Sequence, residues 1–475
     1  MALPLRLFDL GFLPPDDSLR YAARAVSGKT WNEIILMRPE ITIDHNAGWN
    51  WLQGVMHRLT GWSPKQLVLF SLVLTFAVFS IIPLFWFRRP ESWVASLALL
   101  MFIFPYFAER LFVGRPLWLT ATVALVLLCL WKEDPDSTKL RKILIVSSVL
   151  VAVSGWIHGS WYLLGLVPAT FAVGRRWRAS LCLTFCWLAG SVFGALFTGH
   201  PWKYLYESAL IPFLALDQTV PPNALVGEFQ PFTGGYFALV IIALLLGLRS
   251  AGRLPMTNIV KDPMLALALI GWLLGAKVFR FWLDWGLPAL ALWIAFQLQD
   301  LLGTNQRLLN AISRCAVSVA AALLLFVGVA DNKENRWSNF SQFEAMDEQR
   351  AEHAEWLPDK NGILYSVNMS VFYETFFTNP LGDWRYALGF EPSFMHPEDY
   401  AVFRELWQTL NAVQAVQPWV NKMTPADRLV LLGPSFNPPA IPQLEWKYVI
   451  KDTWVGRLPR EDSPPKPIGP NDPAL

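Results

Sequence analysis

QLVLFSLVLTFAVFSIIPLFWF, residues 66–87, runs for 22 residues without a charged side chain and is closed by Arg88 and Arg89. A bilayer core about 30 Å thick is crossed by roughly 17–25 apolar helical residues, so this stretch reads as a membrane-spanning helix. The pattern recurs. Spans are expected near 65–87, 92–108, 116–131, 142–157, 160–173, 179–198, 236–248, 264–281, 285–299 and 314–330, about ten in all. Several are short, above all the pair around Ile157-His158-Gly159-Ser160. A short or broken span is tolerated where neighbouring protein or a water-filled cavity satisfies its backbone. Composition agrees: of 475 residues, 54% are hydrophobic, 16% are charged and 24 are Trp. The chain is therefore read as a polytopic α-helical membrane protein.

Other classes are excluded by what is absent. A net charge of +2 gives no basic field for nucleic acid. Cys129, Cys182, Cys186 and Cys315 all lie in apolar stretches, without CxxC or metal spacing, and read as small hydrophobes. Neither a phosphate-binding GxxxxGK[ST] loop nor HExxH occurs, which disfavours ATP-driven transport and zinc proteolysis.

Orientation follows from Lys and Arg. With 88–91 cytoplasmic, so are 132–142, 174–178, 249–262 and 300–314. These loops carry Arg88, Arg89, Lys132, Lys139, Arg141, Lys142, Arg175, Arg176, Arg178, Arg249, Arg253, Lys261, Arg307 and Arg314. The opposite loops between spans hold only Arg110, Arg115, Lys203, Lys277 and Arg280. Residues 1–64, 199–235 and everything after 330 then lie outside, which in a bacterial inner membrane is the periplasm. Residues 1–64 contain neither a span nor a signal peptide, so an upstream helix is expected, with Leu3–Leu13 as its exit.

Within 1–64, Pro14-Pro15-Asp16-Asp17 is a helix-start signal before LRYAARAVSGKTWNEI. Trp31, Trp49, Trp51 and Trp62 suit helices lying at headgroup level. Beyond 330 the sequence turns mixed and soluble. Helices are expected at 340–356, 370–378 and 397–413, and strands at Gly362–Val367, Arg385–Phe390, Arg428–Leu432, Trp446–Ile450 and Thr453–Leu458. These make a small α/β or α+β domain over 331–458, with 459–475 disordered. The helical domain is 65–330.

Ionisable residues at the membrane carry the functional signal, because burying them is expensive. Asp16 and Asp17 read as a general base or metal ligand, or as an N-cap and first-turn acid. In AERLFVGRP, Glu109, Arg110 and Arg115 fit phosphate binding and acceptor positioning, or snorkelling. Lys277 and Arg280 stand three apart on one expected helix face, with Asp284 four beyond Arg280. They form an anion site, a headgroup contact or a structural ion pair. His158 in GWIHGSW and His45 in DHNAGW are acceptor-site or structural candidates. In the tail, 383–392 and 418–428 are dense in aromatic and charged residues and are read as folding elements or an interface.

Three of these stretches together resemble the C-type (GT-C) superfamily of membrane glycosyltransferases: FLPPDDSLRYAARAV (12–26), AERLFVGRP (108–116) and RFWLDWGLP (280–288). The resemblance implies a polyprenyl-phosphate-linked sugar donor, with Asp16 or Asp17 as catalytic carboxylate and Glu109 as the second acid. It implies Arg280 on the lipid phosphate, assisted by Lys277, Arg110 and Arg115 or by a divalent metal (Mg or Mn) on Asp17 and Glu109. The expected partners are the bilayer, the lipid-linked sugar and a glycan, lipid or protein acceptor, and the expected reaction is a single inverting displacement. Two rival readings remain open from the residues. One is a transporter or flippase for a lipid-linked or anionic solute, although no internal repeat of the kind such proteins often carry is visible. The other is a scaffold of an envelope assembly.

Overall fold

The computed structural model describes residues 2–14, 17–133, 135–215, 227–232, 234–252, 259, 261–304, 310–333, 336–338, 344–409 and 412–459. Two compact units result: Met1–Lys29 with Ile41–Phe343, and Thr30–Glu40 with Glu344–Leu475.

The first unit is helical. The opening stretch forms Pro64–Ile81, started by a capping box in which Ser63 and Gln66 satisfy each other's backbone N–H and Pro64 needs no donor. Pro83 then tightens its end into the 3₁₀ turn Ile82–Trp86. Among the described residues, five helices are long and apolar enough to cross a membrane: Pro64–Trp86, Ser137–Ile157, Trp177–Leu196, Phe279–Gly303 and Ile312–Ala330. The pair Pro90–Ile103 and Pro105–Leu111, bent by 113°, is long and apolar enough when its two helices are taken together. The bend has a local cause: Phe104 precedes Pro105, which disfavours helical backbone, and it sits at φ −122°, ψ 80°. Shorter apolar helices are Leu117–Leu130, Ser160–Val173, Tyr236–Ala251 and Pro263–Gly275. The chain is a multi-pass membrane protein, as its sequence implies.

Small residues let these helices approach without a hydrophobic drive between them. Gly190 and Gly194 lie one turn apart on Trp177–Leu196, and a Cβ on either would meet the Ser148 and Ala152 carbonyls of Ser137–Ile157 at 2.6 and 2.3 Å. The outward face of the same helix keeps Phe185, Leu188 and Phe193 more than half exposed, which suits lipid. Two expected spans change, the one at 92–108 being broken at Phe104-Pro105. The span expected at 264–281 ends at Gly275, and Val278 is extended at φ −140°, ψ 105°, so Phe279 starts the next helix. At the N-terminus, Ala2–Asp9 buries Leu3 and Leu7. Asp17–Ser27 buries Ser18–Ala23 around its whole circumference, packed on Ala47–Thr60 and Pro64–Ile81.

The second unit is a five-stranded sheet with helices. Its strands are β1 (Ile363–Ser366), β2 (Arg385–Tyr386), β3 (Arg428–Leu432), β4 (Glu445–Ile450) and β5 (Thr453–Arg457), in the order β2-β1-β3-β5-β4. β1 is parallel to β2 and β3, while β5 is antiparallel to β3 and β4. The core gathers Tyr365, Phe403, Trp419, Leu429 and Leu431. Helices Met369–Thr378 and Pro397–Thr409 lie where expected, but the helix expected over 340–356 is reduced to Ala351–Ala354 in the described residues. Of the expected strand 385–390 only Arg385–Tyr386 pairs as a strand. Residues 460–475, expected to be disordered, lie outside the described residues.

One segment of this unit comes from far away in sequence. Thr30–Glu40 belongs here rather than with the rest of 1–64. Ile35 bridges Tyr386 in parallel, and Met37 bridges Met395. Leu36 N–H donates to the Tyr386 carbonyl at 2.9 Å, and Arg38 N–H to that of Phe394 at 2.9 Å. The segment covers the open edge of β2, which would otherwise present unpaired backbone groups.

Candidate functional site

Four segments of the helical unit bring seven ionisable side chains together. Arg110 is at the centre. It rides on Pro105–Leu111, turned sideways by the bend at Pro105, and the Trp118 indole N–H holds its carbonyl at 2.7 Å. Its guanidinium makes a two-pronged contact with Asp284: Nε to Oδ1 at 2.8 Å and Nη2 to Oδ2 at 2.9 Å. Its Nη1 donates to Glu228 Oε2 at 2.5 Å. Arg115 Nη1 donates to the same oxygen at 2.6 Å, and its Nε lies 3.4 Å from Asp17 Oδ2. Arg280 reaches Asp284 at 3.2 Å and Glu228 at 3.4 Å. Arg20, one turn after Asp17, donates to Asp17 Oδ1 at 2.9 Å and to the Tyr21 hydroxyl at 2.9 Å.

Local sequence explains how each group is presented. Asp17 opens its helix, where the exposed N–H groups favour an anion. Asp284 sits in a π-helical turn, Trp282–Gly286, a widened turn of a kind common at functional sites. The turn fits because Gly271 on the neighbouring helix lets Gly286 come close: a Cβ on Gly271 would fall 2.5 Å from Gly286 Cα. Glu228 is in the short turn Gly227–Phe229. That turn is tied to the 276–281 break by Phe279 N–H donating to the Gln230 carbonyl at 2.9 Å, and by Phe232 stacked on Phe279 at 4.3 Å.

Three carboxylates face four guanidiniums in this cluster, among the described residues. Burial by itself would raise the Asp17 and Glu228 carboxyls, but the arginines overrule it and hold both well below the usual carboxylate range. Both are anions at neutral pH.

The other expected residues fall elsewhere. Asp16 lies outside the described residues. Glu109 is on the same helix as Arg110 but pairs with Arg336 at 3.1 Å and is 41% exposed, so it stands apart from the cluster's contacts. Lys277 is exposed. The break at 276–278 separates it from the helix that carries Arg280, so the shared face expected for the two is absent. His158 follows the helix Ser137–Ile157, with its Nδ1 accepting from Ser160 N–H at 3.3 Å. Burial, with Arg280 adding to it, pushes this imidazole down to about 3, so it is neutral. His45 is likewise pushed down to about 4 by burial, against the pull of Asp44 and Glu207. Its ring lies 6.4 Å from that of Tyr204. Two cluster members escaped the sequence reading. Arg20 had a signal, an acid-to-base spacing of three on an expected helix. Glu228 had only its place in an outer loop.

No group of three His, Cys, Asp or Glu side chains among the described residues is arranged to hold a metal. Both Asp17 carboxylate oxygens face arginines, and Glu109 faces Arg336. The two acids expected to share a divalent metal therefore do not fit that role as arranged.

No protein-family model and no curated protein sequence matches the chain. Its fold does match. The crystal structure of ArnT from Cupriavidus metallidurans bound to undecaprenyl phosphate aligns with a TM-score of 0.54 at 15% identity, over 95% of this chain and 96% of that one. An Archaeoglobus fulgidus oligosaccharyltransferase, tethered with an acceptor peptide containing the NVT sequon, aligns with a TM-score of 0.42 at 13% identity, over 89% of this chain and 65% of that one. The chain thus has the fold of ArnT.

Proposed function

We propose that this protein transfers a sugar from a polyprenyl-phosphate-linked donor to an acceptor hydroxyl at the outer face of a bacterial inner membrane. The observation that carries the reading is the convergence of Arg110 and Arg115 from one segment with Arg280 from another, beside the anionic Asp17. The fold it sits in is shared with ArnT, solved bound to undecaprenyl phosphate.

The chemistry requires two things of the protein. The acceptor oxygen attacks the anomeric carbon as the bond from that carbon to the phosphate oxygen breaks, and the acceptor proton must go to a base. The leaving group is a phosphate that departs as an anion, so it needs charge stabilisation more than protonation. Planar guanidiniums match phosphate oxygens in pairs, and Arg110, Arg115 and Arg280 supply that match. Asp17, already ionised, takes the proton, with Asp16 beside it in sequence as the alternative base. Arg115 touches both Asp17 and Glu228. A phosphate drawing Arg115 away leaves Asp17 with one fewer cation and a greater proton affinity. A single displacement of this kind inverts the anomeric centre. His45 and His158 are assigned to the acceptor side of the site.

Binding of undecaprenyl phosphate to the full chain in lipid nanodiscs tests this reading. Arg110→Ala and Arg280→Ala each remove a bidentate or charge-assisted contact of about 1.5–3 kcal/mol, and should weaken binding by at least tenfold. Wild-type affinity in both variants would overturn the phosphate site.

A further inference from the structure

The two acids that hold Arg110 differ in how they are mounted. Asp284 is 1% exposed and belongs to a continuous helix, where it receives both prongs of the Arg110 guanidinium. Glu228 belongs to a three-residue turn, and its carboxylate is the point on which Arg110, Arg115 and Arg280 all close, at 2.5, 2.6 and 3.4 Å. Three guanidiniums from two segments around one small anion make the coordination expected for a phosphate monoanion, and a carboxylate fills it here. The backbone beyond Glu228 is fastened through Gln230 and Phe232. A change of side-chain rotamer is therefore enough to withdraw the carboxylate, without moving the turn.

We infer that Glu228 is a built-in occupant of the donor's phosphate seat, which the phosphate group must displace in order to bind. This rests on the proposed donor class and goes beyond it, because it assigns Glu228 a role opposed to binding. The division of labour is then specific. Asp284 keeps Arg110 aimed in the absence of ligand. Glu228 occupies the three cations until a phosphate arrives. It also sets a threshold, since an anion that meets fewer than three guanidiniums competes poorly with a carboxylate that already meets all three.

The test is one of sign. The full chain in nanodiscs is titrated with undecaprenyl phosphate and, separately, with inorganic phosphate, for wild type, Glu228→Gln and Asp284→Asn. If the carboxylate fills the seat about nine-tenths of the time, removing its charge raises apparent affinity on the order of tenfold. E228Q should therefore bind undecaprenyl phosphate about tenfold more tightly than wild type, and D284N more weakly. A Glu228 that merely organises the arginines gives the opposite result: equal or weaker binding in E228Q overturns the inference while leaving the phosphate site intact. Binding by neither wild type nor E228Q overturns the lipid-phosphate reading itself. Tightening for inorganic phosphate alone keeps the seat and removes the lipid. If E228Q fails to fold, judged by its elution and melting, Glu228→Asp draws the carboxylate back by one methylene and must show the same sign.

Discussion

At Asp17 two requirements pull against each other. An ionised carboxylate is needed to accept a proton, and Arg20 and Arg115 guarantee that ionisation, but the same cations make it a weak base. The expected consequence is visible in pH dependence. The folded carboxyl titrates below its unfolded value of 3.8, so its contribution to stability is complete above that value and is lost only as pH falls through the lower folded one. Activity should therefore lack an acid limb from Asp17 between about pH 5 and 8. Asp17→Asn, nearly isosteric, should lower sugar transfer by at least a hundredfold while undecaprenyl phosphate still binds. Full transfer by D17N would pass the role to Asp16 or abolish it. Much of this site could be read in advance for one physical reason: an ionisable group in a greasy chain costs too much to be incidental. That reasoning picked out Asp17, Arg110, Arg115, Arg280 and Asp284, which the structure gathers. It could not group them correctly, since Glu109 and Lys277 are as polar as their neighbours yet face elsewhere. Nor could it find Glu228, whose importance comes entirely from the cations around it.

The misgrouping is explained one level up, by breaks in helices. Residues three or four apart share a face only while the helix continues. Extended backbone at Val278 separates Lys277 from Arg280, and the turn at Phe104-Pro105 redirects Arg110 by 113°. The Pro105 break had a signal in the sequence, since proline restricts the residue before it, yet the span expected at 92–108 ran through it. The π-helical turn around Asp284 was not, since it depends on a neighbouring helix coming close at Gly271. That dependence can be tested. Gly271→Val has no room against Gly286, where even a Cβ would lie at 2.5 Å. Overpacking of this kind costs about 1–3 kcal/mol. The variant should melt earlier than wild type and bind undecaprenyl phosphate more weakly, because Asp284 no longer aims Arg110. If it melts earlier but binds normally, the turn is structural only.

Over the whole molecule, helices were legible from local composition, whereas the partner of Thr30–Glu40 was not. A β bridge between Ile35 and Tyr386 joins residues more than three hundred positions apart, and no local pattern encodes such a pairing. The bridge has a topological consequence. The chain leaves the helical unit after Lys29, contributes Thr30–Glu40 to the sheet unit and returns at Ile41. Among the described residues, no helix between Asp17 and Thr60 is long and apolar enough to cross a membrane. We propose that the segment bearing Asp17 and the C-terminal unit face the same compartment, and the excess of Lys and Arg on the other loops argues for the outer one. In a chain freed of its native cysteines, Thr60→Cys and Lys360→Cys should both react with a membrane-impermeant maleimide added from outside, and Lys139→Cys only after permeabilisation. All three positions are exposed in the structure. Labelling of Thr60→Cys and Lys360→Cys from opposite sides would mean that Thr30–Glu40 does not pair with Tyr386. Labelling of all three from the same side would instead break the assignment of spans between Pro64 and Ile157.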